Sequence, residues 1–169
     1  MSTTQEAFRN AMRCFATGVT IVTVDDRGQV HGMTANAFTS VSLDPMLVLV
    51  CVDRKAQTHA HLQTRQRFGI NMLSEHQRSI SEHYADEERD RKNAEQLTGA
   101  RFDRTDHGTP VLEAALAYLE CRLMSEQDAG DHTIFIAEVE DVVIRGGRPL
   151  LFFQSSYWTI GAKWNDGNH

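Results

Sequence analysis

Residues 46–52, MLVLVCV, are apolar without a break, the pattern of a strand covered on both faces in a barrel or sandwich core. Such a strand needs partners, and the rest of the chain supplies them. VTIVTV (19–24), FGINML (68–73), AYLECRLM (117–124), TIFIAEVEDVVI (133–144) and LLFF (150–153) are rich in β-branched, aromatic or Leu residues, separated by Gly, Asp or Pro. The turn chemistry of DDRGQ (25–29) closes the first of them. Helical patterns are fewer. Thr3 and Glu6 have capping-box spacing, Phe8, Ala11, Met12 and Phe15 share one helix face, and Gly18 is placed to stop that helix. A short helix is expected over 57–65, and another over 74–85 with Ser74 as N-cap and Gln77 at N3. With at least six strands and two to four helices, strands mostly follow strands. That order predicts a mainly β fold, a closed antiparallel barrel with peripheral helices, rather than a doubly wound sheet.

The chain of 169 residues is most simply one domain, 1–169, long enough to bury a core without staples, and it has no internal repeat or splitting linker. Its 41% hydrophobic and 24% charged residues argue against disorder. A formal charge of −6 disfavours non-specific nucleic-acid binding. Cys14, Cys51 and Cys121 are odd in number and form no C-x-x-C pair, the usage of reduced, buried thiols in a cytoplasmic protein. No apolar run approaches membrane-spanning length, and MSTTQEAFRNAMRCF lacks the apolar stretch of a signal peptide. A cytoplasmic protein without nucleic-acid or membrane partners is expected. The polar stretch 85–108 mixes both charge signs and reads as a solvated helix and loop.

One stretch does not fit a core strand. GMTANAFTSVSLDP (32–45) alternates Thr34, Thr39, Ser40 and Ser42 with Ala35, Ala37, Phe38 and Val41. The alternation is that of a strand without its usual bulk, and small side chains let a ligand approach the backbone. No G-x-G-x-x-G, G-x-x-x-x-G-K-[ST] or G-x-S-x-G occurs, so the common nucleotide and hydrolase motifs are missing. His59 and His61, two apart, point to different helix faces, and nothing completes a site around His76 and His83. All four read as surface histidines, with no metal. DRKAQTHAHL (53–62) brings Arg54, Lys55 and Thr58 to a strand end and helix start. That suits a phosphate, but equally an exposed basic turn with a Thr cap. GDH (130–132) is either a plain hairpin turn or one that aims an imidazole into a cleft.

Taken jointly, GVTIVTV, GMTANAFTSVSLDP, LVLVCVDRKAQTHAHL, FGINMLSEHQ, GTPVLEAALAYLECRL and GDHTIFIAEVEDV resemble, in order and over roughly residues 5–160, the short-chain flavin reductases. These are the reductase components of two-component flavin-dependent monooxygenases. The resemblance implies a split β-barrel, usually a homodimer, that binds FMN or FAD, reduces it with NADH or NADPH, and passes reduced flavin to a separate oxygenase. It implies that Thr34, Ala35 and Asn36 meet the edge of the flavin ring, and that Ser40, Val41 and Ser42 contact the ring and ribityl chain. Asp53, Arg54, Lys55, Ala56, Gln57 and Thr58 match the segment that holds the phosphate. His132 matches the histidine beside the nicotinamide, with Asp131 and Tyr157 completing the set. Phe38 and Cys51 read as ordinary core. Ala56 stands where many relatives have Ser, and Ser155-Ser156 where many have Gly-Arg before the Tyr. Hydride transfer then depends on orientation and a dry pocket rather than on a protein nucleophile. Two other readings use the same barrel: a non-catalytic flavin- or haem-binding module, and a reductase of another acceptor such as a corrinoid.

Overall fold

The computed structural model describes residues 3–86 and 100–162; most of the stretch read as a solvated helix and loop, residues 87–99, lies outside them. The described elements are, in chain order, α1 (Gln5–Arg13), β1 (Thr17–Gly18), β2 (Thr20–Asp26), β3 (Gln29–Ala35), β4 (Phe38–Leu43), β5 (Met46–Asp53), α2 (Gln57–Arg65), β6 (Arg67–Met72), α3 (Arg78–Tyr84), β7 (Phe102–Arg104), β8 (Pro110–Leu112), β9 (Ala117–Ala129), β10 (His132–Ile144), β11 (Leu150–Phe153) and β12 (Ser156–Thr159). Seven strands form one antiparallel sheet in the order β3-β2-β6-β9-β10-β5-β4, beside a three-stranded sheet β1-β11-β12 and the pair β7-β8. The fold is mainly β, as the strand-rich sequence predicts.

The expected closure does not occur. β3 and β4 are the two edges of the seven-stranded sheet and are not paired, yet only Asn36 and Ala37 separate them in the chain. Three residue steps reach at most about 11 Å. The sheet must therefore curl until its edges nearly meet, leaving a barrel split along the β3–β4 seam. At the crossing, the Ala37 carbonyl accepts the Cys51 N–H at 2.9 Å and commits the chain to pairing with β5. The stretch that lacked core bulk is the one that crosses the seam.

β2 explains why the sheet is covered on both faces. Val22 and Val24 join Val50, Phe68, Ile70 and Phe135 inside the curl. Ile21, on the opposite face, packs with Leu73, Tyr84, Leu112 and Leu150. Buried Asn71 ties these layers, donating to the Ile21 carbonyl and to Thr23 Oγ1 and accepting the Leu112 N–H at 2.7 Å. MLVLVCV alternates buried and half-buried residues after Met46, so the two-sided covering read from the run is unequal. β9 and β10 are longer than their apolar segments because the mutual ladder continues through polar Ser125–Ala129 to the turn at Gly130.

The helix expectations need correction in four respects. Thr4, not Thr3, caps α1, accepting the Ala7 N–H at 3.1 Å. Its apolar face does not reach the core: Phe8, Met12 and Phe15 are 61%, 50% and 67% exposed. Cys14 ends the helix and is exposed, and Gly18 lies in β1. Finally, α3 begins at Arg78, because Ser74 is held in a bridge to Pro149. The Ser74 N–H still donates to Gln77 Oε1, half of the expected capping box. No described helix is long and apolar enough to cross a membrane.

Candidate functional site

The β5–β10 ladder brings together the two polar stretches that spacing alone left ambiguous. Asp53 and His132 are Cα partners at its outermost rung, and the Arg54 N–H donates to the Asp131 carbonyl at 3.1 Å. Asp53 then builds the turn into α2. Its Oδ1 accepts the Lys55 N–H at 2.8 Å and its carbonyl accepts the Ala56 N–H at 3.0 Å. Ala56 is the N-cap, and no side chain caps the helix. The N-cap side chain therefore offers no acceptor at the start of α2, beside the exposed cations Arg54 and Lys55. That combination fits an anionic group.

On the facing turn, His132 Nδ1 lies 2.8 Å from Asp131 Oδ1. The hydrogen bond to His132 holds the Asp131 carboxyl below its ordinary range. An ionised carboxylate only accepts, so Nδ1 carries the hydrogen and Nε2 is the nitrogen left for a ligand.

Thr58 behaves differently from its sequence expectation. It is fully buried, with Oγ1 2.8 Å from His31 Nε2, so its hydroxyl faces the interior and only its backbone stays with the phosphate-type segment. The surface-histidine reading is corrected in the same region. His61 is half-buried against the His31 ring at 4.5 Å, and His59 is half-buried with Nε2 2.8 Å from Thr133 Oγ1. His83, also half-buried, meets Tyr84 edge-on, whereas His76 is exposed. Each inward turn follows from α2 or α3 packing on the sheet, which helical spacing alone does not reveal.

Along the seam, the Ala35 carbonyl accepts from buried Thr20 Oγ1 at 2.6 Å, while Asn36 is exposed. A register shift between Ser40 and Ser42 makes Val41 a bulge residue, 48% exposed. Edge strands retain unpaired backbone N–H and C=O groups, and small residues leave them approachable. The seam thus suits the polar edge of a flat heterocycle. Ser42 Oγ accepts the Asp44 N–H at 3.2 Å. Ser40 pairs with Val48, five residues before Asp53, or about 17 Å along β5 at strand rise, so the selected residues trace an elongated site. Gln57 is half-buried at the α2 end.

Thr34 and Tyr157 converge on a residue that sequence reasoning passed over. Thr34 Oγ1 donates to the Ser81 carbonyl at 2.7 Å, and Ser81 Oγ lies 2.9 Å from the Tyr157 hydroxyl. Arg78 stands over the Tyr157 ring at 5.4 Å. Neither Ser81 nor Arg78 sits in a motif; only α3 packing brings them there. Asn36 also lines a cavity of about 260 Å³ with Phe8, Phe15 and Phe152. A roomier cavity of about 500 Å³, bounded by Gln77, Leu112, Gly147 and Arg148, is lined by none of the residues expected to meet flavin or nicotinamide.

Glu120, inside the LECRL signature, is buried far from this site. It accepts from Thr109 Oγ1 at 2.6 Å and Thr105 Oγ1 at 2.8 Å, with His107 Nδ1 at 3.2 Å. Burial pushes its carboxyl up, but donation from Thr109, Thr105 and His107 outweighs this and holds it below its ordinary value. Its role is to strap the 105–109 loop to β9.

The fold is a mainly β barrel split along one seam, and residues 12–161 match the flavin reductase like domain family. The chain belongs to that family. It is 42% identical over 155 residues to an NADH-dependent flavin reductase from a Rhodococcus species, covering 90% of this chain and 84% of the relative. It is 37% identical over 150 residues to the reductase component of a 4-nitrophenol 4-monooxygenase/4-nitrocatechol 2-monooxygenase from Rhodococcus opacus, covering 89% and 78%. Among solved structures, a Streptomyces globisporus NADH:FAD oxidoreductase in complex with NAD and FAD fragments superposes with a TM-score of 0.83 at 33% identity, covering 97% of this chain and 95% of that one.

Proposed function

We propose that the protein is an NAD(P)H-dependent flavin reductase that reduces FMN or FAD and supplies the reduced flavin to a separate oxygenase. The observation that carries this reading is the Asp53–His132 rung, which sets the cationic 53–58 segment beside a histidine whose Nε2 is available. When bound, flavin supplies the hydride acceptor. Thr34, Ala35, Asn36 and Ser40–Ser42 along the seam hold the ring edge and ribityl chain. Arg54, Lys55 and the backbone of Ala56, Gln57 and Thr58 hold the phosphate. His132, oriented by Asp131, positions the nicotinamide, and Tyr157 braces the seam through Ser81. The relatives described above as a flavin reductase and a monooxygenase reductase component support the activity and the kind of partner.

We further infer a homodimer. Phe8 and Met12 on α1, Phe15 just beyond it, and Val41, Leu43 and Met46 beside the seam are exposed apolar side chains that a second subunit would cover. The test of function is oxidation of NADH and NADPH by the purified protein, with and without FMN, FAD or riboflavin. Turnover that requires added flavin is expected. Stoichiometric flavin binding with neither nicotinamide oxidised would mark a binding module instead.

A further inference from the structure

The His132 end and the phosphate-type end of the site are carried by different elements, β10 and α2, and His59 helps join them in the interior. His59 of α2 reaches β10, its ring edge against Phe135 at 5.3 Å and Nε2 2.8 Å from Thr133 Oγ1. Thr133 is 1% exposed and directly follows His132. Its hydroxyl also lies 3.3 Å from Asp128 Oδ1 across the β9–β10 hairpin, and Asp128 Oδ2 is 3.7 Å from the Arg54 guanidinium. These distances fix the direction of the chain of hydrogen bonds. The Thr133 hydroxyl donates to the Asp128 carboxylate oxygen. His59 must then donate Nε2–H to Thr133. The relay runs from α2 through β10 to β9, and its outer carboxylate returns to Arg54 beside α2.

We propose that Thr133 is a positioning residue for hydride transfer: by linking His59 to Asp128, its hydroxyl sets where His132 stands relative to the 53–58 segment. The proposal rests on the reading of His132 given above. Thr133 reaches no ligand itself, being sealed inside the sheet. The backbone here is already held by the β5–β10 and β9–β10 ladders and by the Arg54 N–H on the Asp131 carbonyl, and the side-chain relay adds a tether that couples α2 to the residue next to His132. Small misplacements matter here, because a displacement of about 1 Å can cost on the order of a hundredfold in rate.

The experiment is a double-mutant cycle between Thr133→Val, which keeps the side-chain shape, and His132→Ala. The readouts are stopped-flow reduction of bound flavin at saturating NADH, flavin titration and thermal unfolding. Thr133→Val is expected to slow reduction about tenfold while flavin affinity stays within about twofold, and Thr133→Ser should restore the rate. Groups acting as one unit are non-additive, so in the His132→Ala background Thr133→Val should slow reduction no more than about twofold. His59→Phe, which keeps a ring against Phe135 but removes the donor, runs the same cycle if Thr133→Val does not fold. Reduction at the parental rate in Thr133→Val, or the same tenfold loss with His132 absent, overturns the proposal. So does a rate loss that merely follows lost flavin affinity. His132→Ala reducing flavin at the parental rate instead overturns the reading of His132, whatever Thr133 does.

Discussion

Asp53 and His132 are cross-strand partners at the outermost rung between β5 and β10, although 78 residues of chain lie between them. One rung thus joins the end that suits a phosphate to the end that suits a nicotinamide. His132→Ala is therefore expected to leave flavin affinity near normal and to lower the rate of hydride transfer, or raise the NADH requirement, at least tenfold. Stopped-flow reduction of a flavin-saturated sample checks it. Parallel loss of flavin binding would show that the two ends are not separate.

Lys55 and Thr58 separate surface from interior. Lys55 is exposed beside the uncapped start of α2, and a charge-assisted hydrogen bond contributes about 1.5–3 kcal/mol. Lys55→Ala should weaken FMN binding roughly ten- to a hundredfold and leave riboflavin nearly unchanged. Thr58 instead contacts His31 in the interior. Thr58→Val should lower stability by about 1–3 kcal/mol and shift FMN and riboflavin affinities together. Titration of both variants with both flavins distinguishes the two cases, and a phosphate-selective loss at Thr58 would contradict the burial of its hydroxyl.

Glu120 makes part of the stability pH-dependent. Its folded carboxyl is held below the ordinary 4.5 because donation from Thr109, Thr105 and His107 outweighs burial. A lowered folded pKa contributes stability that is complete above the unfolded value and lost as pH falls through the folded one. The parent should thus lose stability below about pH 4.5 more steeply than Glu120→Gln. At pH 7 the variant should be less stable by about 1–3 kcal/mol, since the hydroxyls lose a charged acceptor. Denaturant midpoints measured from pH 3 to 7 test this; parallel curves would rule it out.

Gly69 is needed for space. A Cβ there would stand 2.5 Å from Thr23 Oγ1 and 2.6 Å from Tyr118 Cε2. Both are interior atoms of neighbouring strands. Gly69→Ala should destabilise by about 1–3 kcal/mol through overpacking, lowering Tm by roughly 2–4 °C per kcal/mol for a chain of this size. Gly18→Ala meets nothing within 4 Å and is the neutral control. Equal Tm values for the two variants would refute the packing argument.

The exposed face of α1 predicts assembly. Met12→Lys with Phe15→Glu places charges on a surface where Phe8, Met12 and Phe15 are all open. If a second subunit covers this face, sedimentation of the flavin-loaded protein should shift from dimer to monomer. A parent that is an active monomer at micromolar concentration would sink the inference.

Local pattern was enough for the elements. The β-branched runs, the turn at Arg27-Gly28 (φ 55° and 88°) and the bounds of α2 at 57–65 follow from side-chain period and turn chemistry, which act within a few residues. The motifs also marked the seam and the two polar stretches. What periodicity could not decide was which apolar face finds a partner. The face of α1 has the spacing of a core helix and stays exposed, while His59 and His61, read from spacing as surface residues, and Thr58, read as facing a phosphate, are drawn inward because α2 lies on the sheet. The contacts of Ser81 and Arg78 with Tyr157, and of Thr133 with His59, exist only once α3 and α2 pack on the sheet. Nor did alternation reveal that the barrel splits: strand period sets which side chain faces which side, whereas closure depends on where edges β3 and β4 meet in space.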